Sequence, residues 1–321
     1  MFKNKTIMVT GGTGSWGHEL TTQLLAFDPK EIRIFSRGEF AQFKMKIEYN
    51  NNPKLKFIIG DVRDYQALKR ATIGVEVMFH CSALKHVPIC EEQPDEAIKT
   101  NIIGIQNIIE VSIENKIKKV IDVSTDKACN PLSFYGLTKA VGERLMLQAR
   151  AQTSDTQFLV IRGGNALGSN GSVVPFFINQ IKKENKITVT DYQMTRYFLL
   201  LSDAIRLLFV SIGSELSGGL LVMKMPTCRI LDLANVLIKY YGNSETKIVE
   251  IGIRPGEKIY ETLVSQYESS NCYEYNEKYY LIYPYANLEL QKVEFKEYNS
   301  NDNLMTEEEI ETMLKKGGFL Q

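Results

Sequence analysis

Short apolar runs alternate with longer periodic segments through the first half of the chain. Thr6–Thr10, Glu31–Phe35, Lys56–Ile59, Val75–Phe79, Val120–Val123 and Phe158–Ile161 are rich in β-branched residues and too short for independent helices, so each predicts a strand. Between them, Glu96 to Asn115 carries Ile98, Ile102, Ile105, Ile108 and Ile109 at helical spacing, which predicts one amphipathic helix. This alternation predicts an α/β fold, a Rossmann-like doubly wound parallel sheet with ligands at the carboxyl ends of its strands. After about residue 165 the regularity weakens at Gly168-Ser-Asn-Gly-Ser172. Helices are predicted over Asp203–Gly213, Ile230–Tyr241 and Glu307–Lys316, and strands over Lys186–Thr190 and Lys247–Ile251. The expected division is a dinucleotide-binding domain over 1–165 and a smaller C-terminal α/β substrate lobe over 166–321, with segments free to interleave.

Composition narrows the field by exclusion. The 321 residues carry 38 Lys+Arg against 38 Asp+Glu, so no global charge draws nucleic acid or an anionic membrane. No apolar run is long enough to span a bilayer, and Met1-Phe-Lys-Asn-Lys enters the first strand without the apolar region of a signal peptide. Five cysteines lack Cys-x-x-Cys spacing and three histidines lack a spaced partner, so neither a disulfide framework nor a metal site is expected. The expected setting is a reducing cytoplasm.

The chemistry begins at Thr10-Gly11-Gly12-Thr13-Gly14-Ser15-Trp16-Gly17, between the first strand and a helix. Glycines at 11, 14 and 17 permit a tight turn, close approach of a pyrophosphate and close helix packing, while the helix N-terminus offers N–H groups to phosphate. Where an NAD site usually carries an acid, at the end of the second strand, this chain has Arg37. A guanidinium suits a 2′-phosphate and argues for NADP, with Glu39 nearby keeping NAD as the lesser alternative. Asp61-Val62 ends the third strand, placed either for adenine or, through Asp61, to cap the next helix.

Ser124-Thr125-Asp126-Lys127 ends the fifth strand, and Tyr135 and Lys139 stand i, i+4 on the following helix. A lysine ammonium near a phenol favours the phenolate, which suits Tyr135 to base chemistry near neutral pH. Tyr65 and Lys69 share the spacing but lie on a predicted surface helix, so position decides between them. Asp126 beside Lys127 reads either as a helix-capping or solvated pair or as an acid next to a base, suited to elimination as well as redox chemistry.

With Ser124-Thr-Asp-Lys-Ala128, Ala83-Leu-Lys-His-Val-Pro88, Ile59-Gly-Asp-Val-Arg-Asp64, Gly171-Ser-Val-Val-Pro175, Met194-Thr-Arg196 and Arg254-Pro-Gly-Glu-Lys258 in place, the sequence resembles the extended short-chain dehydrogenase/reductases that act on nucleotide sugars. Within them it is most similar to the UDP-N-acetylglucosamine 4,6-dehydratases that invert C5. The resemblance implies a homo-oligomer that converts UDP-N-acetylglucosamine, or a related nucleotide sugar, for surface glycan or flagellin synthesis. It implies that Tyr135, assisted by Lys139 and Thr125, takes the C4 hydroxyl proton while hydride passes to NADP. Lys127, made neutral by crowding from Lys139 or Lys85, then takes the C5 proton; Asp126 protonates the leaving C6 hydroxyl, hydride returns to C6, and C5 is reprotonated from the opposite face. The implied cofactor site comprises Gly11, Thr13, Gly14, Ser15, Trp16, Gly17, Arg37, Asp61, Val62, Cys81, Lys85, Ser124, Tyr135 and Lys139. The implied substrate site comprises Lys85, Asn165, Val173, Arg196, Arg254 and Glu257, the two arginines as bidentate grips on the diphosphate. His86 is expected to be a buried, hydrogen-bonded histidine. The chain departs from the family at Gly163, usually Tyr, and at Asn170, usually Arg. A 4-epimerase, a C5-retaining dehydratase and a non-catalytic NADP-binding scaffold remain alternatives.

Overall fold

A computed structural model describes residues 1–169, 171–213, 216–253, 256–286 and 288–320. The first half runs β1 (Thr6–Thr10), α1 (Ser15–Leu25), β2 (Glu31–Ser36), α2 (Glu39–Glu48), β3 (Leu55–Ile59), α3 (Tyr65–Ala71), β4 (Val77–His80), α4 (Val87–Glu92), α5 (Pro94–Ile98), α6 (Gly104–Glu114), β5 (Lys119–Thr125), α7 (Phe134–Gln148) and β6 (Gln157–Gly163). The second half runs β7 (Asn165–Leu167), α8 (Val173–Glu184), β8 (Lys186–Val189), β9 (Thr195–Leu200), α9 (Leu201–Ile212), β10 (Gly219–Met223), β11 (Thr227–Arg229), α10 (Ile230–Tyr241), β12 (Lys247–Glu250), β13 (Thr262–Val264), α11 (Gln266–Ser269), β14 (Cys272–Asn276), β15 (Tyr279–Ile282), β16 (Tyr298–Asn299) and α12 (Glu307–Lys316).

The six predicted strands are β1 to β6. They form the parallel centre of a nine-stranded sheet in the order β14-β15-β10-β6-β5-β4-β1-β2-β3. β10 adds in parallel beside β6, then β15 and β14 close that edge antiparallel. Strand order reverses between β1 and β4, and the crevice at that switch point is where such sheets take ligands. The central strands are buried on both faces, as a helix-covered parallel sheet requires: Ile7, Val9, Ile34, Phe79, Ile121 and Leu159 are each fully inside. Full burial of one such side chain contributes roughly 1.5–3 kcal/mol.

The chain beyond residue 165 serves two bodies. β10, β14 and β15 extend the main sheet, while α8, β8, α10 and α12 enclose a second apolar cluster around Phe177, Ile187, Leu233, Leu237 and Leu314. The predicted helices and strands of this half fall where α9, α10, α12, β8 and β12 lie. One prediction differs in kind. The segment from Glu96 to Asn115 is broken by a π-helical turn over Lys99–Ile103. The wider turn resets the buried stripe, so Ile105, Ile108 and Ile109 face the core while Ile98 and Ile103 are exposed. It also drives Asn101 inside, where its side-chain amide accepts from Leu84 N at 2.9 Å and donates to Leu84 O at 2.9 Å and Thr138 Oγ1 at 3.0 Å.

Candidate active site

A cleft of about 610 Å³ opens above the carboxyl ends of β4, β5 and β6, walled on the far side by the second body. Trp16, Cys81, Lys85, Ser124, Thr125, Lys127, Tyr135, Lys139, Asn165, Val173, Arg196 and Glu257 all line it. Its far wall is more apolar, with Phe176, Phe177, Phe198 and Ile230.

The turn after β1 is shaped for close approach. Gly11 has φ +66°, and a Cβ there would lie 2.9 Å from the Cys81 and Ser82 backbone. Thr13 and Ser15 follow it, and Gly14 caps α1 without offering a side chain to the first-turn N–H groups. Gly17 is buried where the turn meets α1. Arg37 is exposed just past β2, with its guanidinium 3.9 Å from Asp61 Oδ2. Val62 is buried beside them. Uncapped amides, a cation at the end of β2 and a glycine turn against β4 together fit a dinucleotide. Asp61 does not cap α3: that role belongs to Asp64, which accepts from Ala67 N at 2.9 Å, while Asp61 accepts from Arg63 N at 3.0 Å and Nε at 2.8 Å.

Ser133 begins α7 by accepting from Gly136 N at 3.2 Å. Any Cβ at Gly136 would lie 2.2 Å from Lys127 O, so only glycine lets α7 press against the Asp126–Ala128 turn. That contact brings Tyr135 near Thr125, whose hydroxyl acts to lower the phenol's pKa. Lys139, 2% exposed, donates to Asp122 Oδ2 at 3.4 Å and Val123 O at 3.0 Å. Burial raises the Tyr135 pKa; Lys139, Lys127 and Thr125 pull it back only in part, so the net direction is upward. Lys139 thus acts in the expected direction, favouring the phenolate, while burial outweighs it. Tyr65 and Lys69 sit on α3, where Lys69 pairs with Glu114 at 2.8 Å, away from the cleft.

Asp126 is fully buried, and its Oδ1 accepts from Thr125 Oγ1 at 2.9 Å and Lys127 Nζ at 3.1 Å. A solvated pair is thereby ruled out. Lys127 Nζ also lies 3.4 Å from Glu261 Oε1, on the residue just before β13. Burial pulls the Lys127 pKa down, but Asp126 and Glu261 outweigh it and the net shift is upward. The expected crowding by Lys139 or Lys85 is not what acts there; the cation that opposes the shift is Arg196.

Arg196 does not present a fork to the cleft. Its Nη1 donates to Thr195 O at 2.7 Å and Ile259 O at 3.1 Å, its Nη2 to Lys258 O at 2.9 Å, and Nε lies 3.7 Å from Glu261 Oε1. With those donors committed, a bidentate grip on diphosphate is lost and Arg196 instead anchors the 258–261 segment. Glu257 accepts from Thr190 Oγ1 at 3.3 Å. Arg254 and Asn170 lie outside the described residues. His86 is exposed at the start of α4 rather than buried. A Cβ at Gly163 would meet Met223 Sδ at 3.0 Å and Met225 Sδ at 3.6 Å, so two methionines occupy the space beside it. Among the described residues there is no cluster suited to a metal ion.

Beneath the cleft, Arg162 donates to both oxygens of Glu143 (3.0 and 2.6 Å) and both of Glu268 (3.0 and 2.8 Å), and Ser124 Oγ donates to Glu143 at 2.6 Å. This buried cluster ties β5, α7 and β6 to α11, and so holds the floor of the site rigid.

A parallel sheet whose order reverses between β1 and β4, a glycine-rich turn after β1 and a cleft holding Tyr135 and Lys139 at the strand ends define a Rossmann-like α/β protein. The chain belongs to the polysaccharide biosynthesis protein family, whose model matches residues 7–283. It is 43% identical over 328 residues to an uncharacterized membrane protein of Methanocaldococcus jannaschii, covering 99% of this chain and 98% of that one. It is 45% identical over 278 residues to a UDP-glucose 4-epimerase of Rickettsia felis, covering 85% and 81%. The structure of Pen from Bacillus thuringiensis superposes with a TM-score of 0.93 at 37% identity, over 100% of this chain and 99% of that one. A dTDP-glucose 4,6-dehydratase of Streptomyces venezuelae, solved with NAD bound, shares the fold at a TM-score of 0.71 and 20% identity, over 79% and 86%. Among the described residues no helix is long and apolar enough to cross a membrane.

Proposed function

We propose that this protein is an NADP-dependent nucleotide-sugar 4,6-dehydratase acting on UDP-N-acetylglucosamine with inversion at C5. One observation carries the reading: Lys127, which lines the same cleft as Tyr135, is bonded at 3.1 Å to a fully buried acid, Asp126, directly behind it. A 4-epimerase needs only the tyrosine and lysine pair; a buried acid joined to a base is the equipment of an elimination. When bound, a nicotinamide dinucleotide supplies the hydride acceptor for C4 and the hydride donor for C6.

The side chains supply the proton transfers. Tyr135 takes the C4 hydroxyl proton, and the ketone so formed acidifies C5–H. Lys127 then takes the C5 proton, the C5–H electron pair becomes the second bond of a C5=C6 alkene as the C6–O bond breaks, and Asp126 protonates the departing C6 hydroxyl, which leaves as water. The base must be neutral and the acid protonated, so the working state is a tautomer of the resting ion pair, reached by moving one proton along the 3.1 Å hydrogen bond. In this reading Lys85, Asn165, Val173 and Glu257, which line the cleft, hold the nucleotide sugar, and Arg37 holds the 2′-phosphate of NADP.

Relatives named as UDP-glucose 4-epimerases favour a second reading, transient C4 oxidation without elimination. Incubation with UDP-N-acetylglucosamine in deuterium oxide separates the two. Loss of water with deuterium at C5 and an inverted C5 in the product spectrum is expected. A C4-inverted sugar that keeps its water would assign the epimerase, and an unchanged sugar would leave only a binding protein.

A further inference from the structure

Across the middle of the main sheet runs a row of polar side chains that the reaction above does not use. Thr10, His80 and Asp122 are register partners on β1, β4 and β5, so all three project from one face. Thr10 and Asp122 are fully buried and His80 is 1% exposed. Thr10 Oγ1 lies 2.7 Å from His80 Nδ1. At the other end of the row, Lys139 reaches down from α7 to Asp122 Oδ2 at 3.4 Å. His80 Nε2 and Asp122 Oδ1, on laterally adjacent residues, have no hydrogen-bond partner among the described residues.

An ionisable carboxyl inside an apolar parallel strand is costly unless its charge is matched. The charged and titratable groups facing Asp122 are Lys139 and Glu143 from α7, His80 on β4 and Cys81 just past it. Lys139 is the one cation among them, and it is also the lysine one helical turn from Tyr135. We propose that Asp122, backed by His80 and Thr10, is a positioning residue for the hydride step: it fixes Lys139 as an ammonium against β5 and sets the pH range in which Tyr135 accepts a proton.

The geometry gives the reason. Asp122 Oδ2 and Val123 O fix two of the ammonium's three protons, which leaves the third to face the cleft. The carboxylate also offsets part of the ammonium's field at the phenol. Burial pushes the Asp122 pKa up to about 6 against the pull of Lys139, so its charge state changes just below neutrality. Burial and Lys139 press His80 down to about 3, so the imidazole behind the pair stays neutral.

This inference rests on Tyr135 and Lys139 moving the C4 proton as proposed above, a step that an epimerase shares with a dehydratase. The test is rapid mixing of the NADP-loaded protein with UDP-N-acetylglucosamine, following nicotinamide reduction against pH. Reduction by the unaltered protein is the control; if it is missing, the assignment of the site fails and the proposal goes with it. Asp122→Asn keeps an acceptor and removes a charge, so the acid limb of the reduction rate is expected to move to lower pH by roughly one unit, with KM unchanged. Asp122→Leu removes the acceptor as well and is expected to slow reduction roughly 100-fold. A limb in Asp122→Asn that coincides with the unaltered protein's overturns the proposal, and so does full speed in Asp122→Leu. Where the leucine variant does not fold, the asparagine profile decides alone.

Discussion

Replacing Glu261 with glutamine removes one of the two negative charges that bracket Lys127 while keeping the side chain's shape. Two opposite charges 3.4 Å apart interact by about 5 kcal/mol at an effective dielectric constant of about 20. Two features reduce that figure: the Lys127 side chain is 28% exposed, and Arg196 Nε lies 3.7 Å from the same Glu261 oxygen and already offsets it. About 1.5–3 kcal/mol remains, a fall of roughly one to two units in the Lys127 pKa. The sign is fixed, because removing a carboxylate beside an ammonium always favours the neutral amine. An assay that needs no turnover reads it directly: only the neutral amine reacts with an acylating reagent, so labelling of Lys127, followed by peptide mass spectrometry at mildly alkaline pH, is expected to accelerate about tenfold or more in Glu261→Gln. Lys139, 2% exposed and facing Asp122, is the internal control and should keep its rate. Equal labelling of Lys127 in both proteins would show that Glu261 does not share its charge, and the description of this half of the site would be wrong.

Two further predictions concern the floor and the cofactor end. Arg162→Met leaves Glu143 and Glu268 facing each other without a cation and should cost roughly 3–5 kcal/mol, read as a lower midpoint in urea unfolding. Burial opposes ionisation of Glu268, but Arg162 and the Ser265 hydrogen bonds outweigh it and bring its pKa to about 2. A carboxyl depressed in this way stabilises the fold above its unfolded pKa, and that contribution is lost as pH falls from the ordinary glutamate value through about 2. Arg162→Met should therefore flatten the acid arm of the stability curve, whereas an unchanged arm would remove Arg162 as its cause. Arg37→Ala should weaken NADP by roughly tenfold or more and leave NAD nearly unaffected in titration calorimetry; equal losses would show that the guanidinium does not read the 2′-phosphate.

The sheet was legible because its signal is local. Six β-branched runs and the helices between them appear in order, and chain connectivity then leaves few arrangements, so β1 to β6 and the crevice at their ends follow from patterning alone. The Tyr135–Lys139 pair was separable from Tyr65–Lys69 for the same reason, since one follows β5 and the other β3. What resisted reading depends on where distant segments meet. Glu261 sits in a polar stretch that looks like a solvated turn, and nothing local announces that its place just before β13 brings it to Lys127. Arg196 looked free to grip an anion because the carbonyls that occupy it belong to residues 258 and 259, far along the chain. The π-helical turn that buries Asn101 leaves no mark on the isoleucine spacing except that the predicted stripe fails at Ile98, the residue before the turn. Asp122 is the opposite case. A carboxyl in the middle of Val120-Ile-Asp-Val123 is visible to the eye, and in a strand buried on both faces it demands a cation. The cation could have been found by counting. Ser124 and Asp122 share a face of β5, and the helix that covers them brings Glu143 to the first and Lys139, one turn earlier, to the second. An acid out of place in a strand thus points to the lysine that works above it.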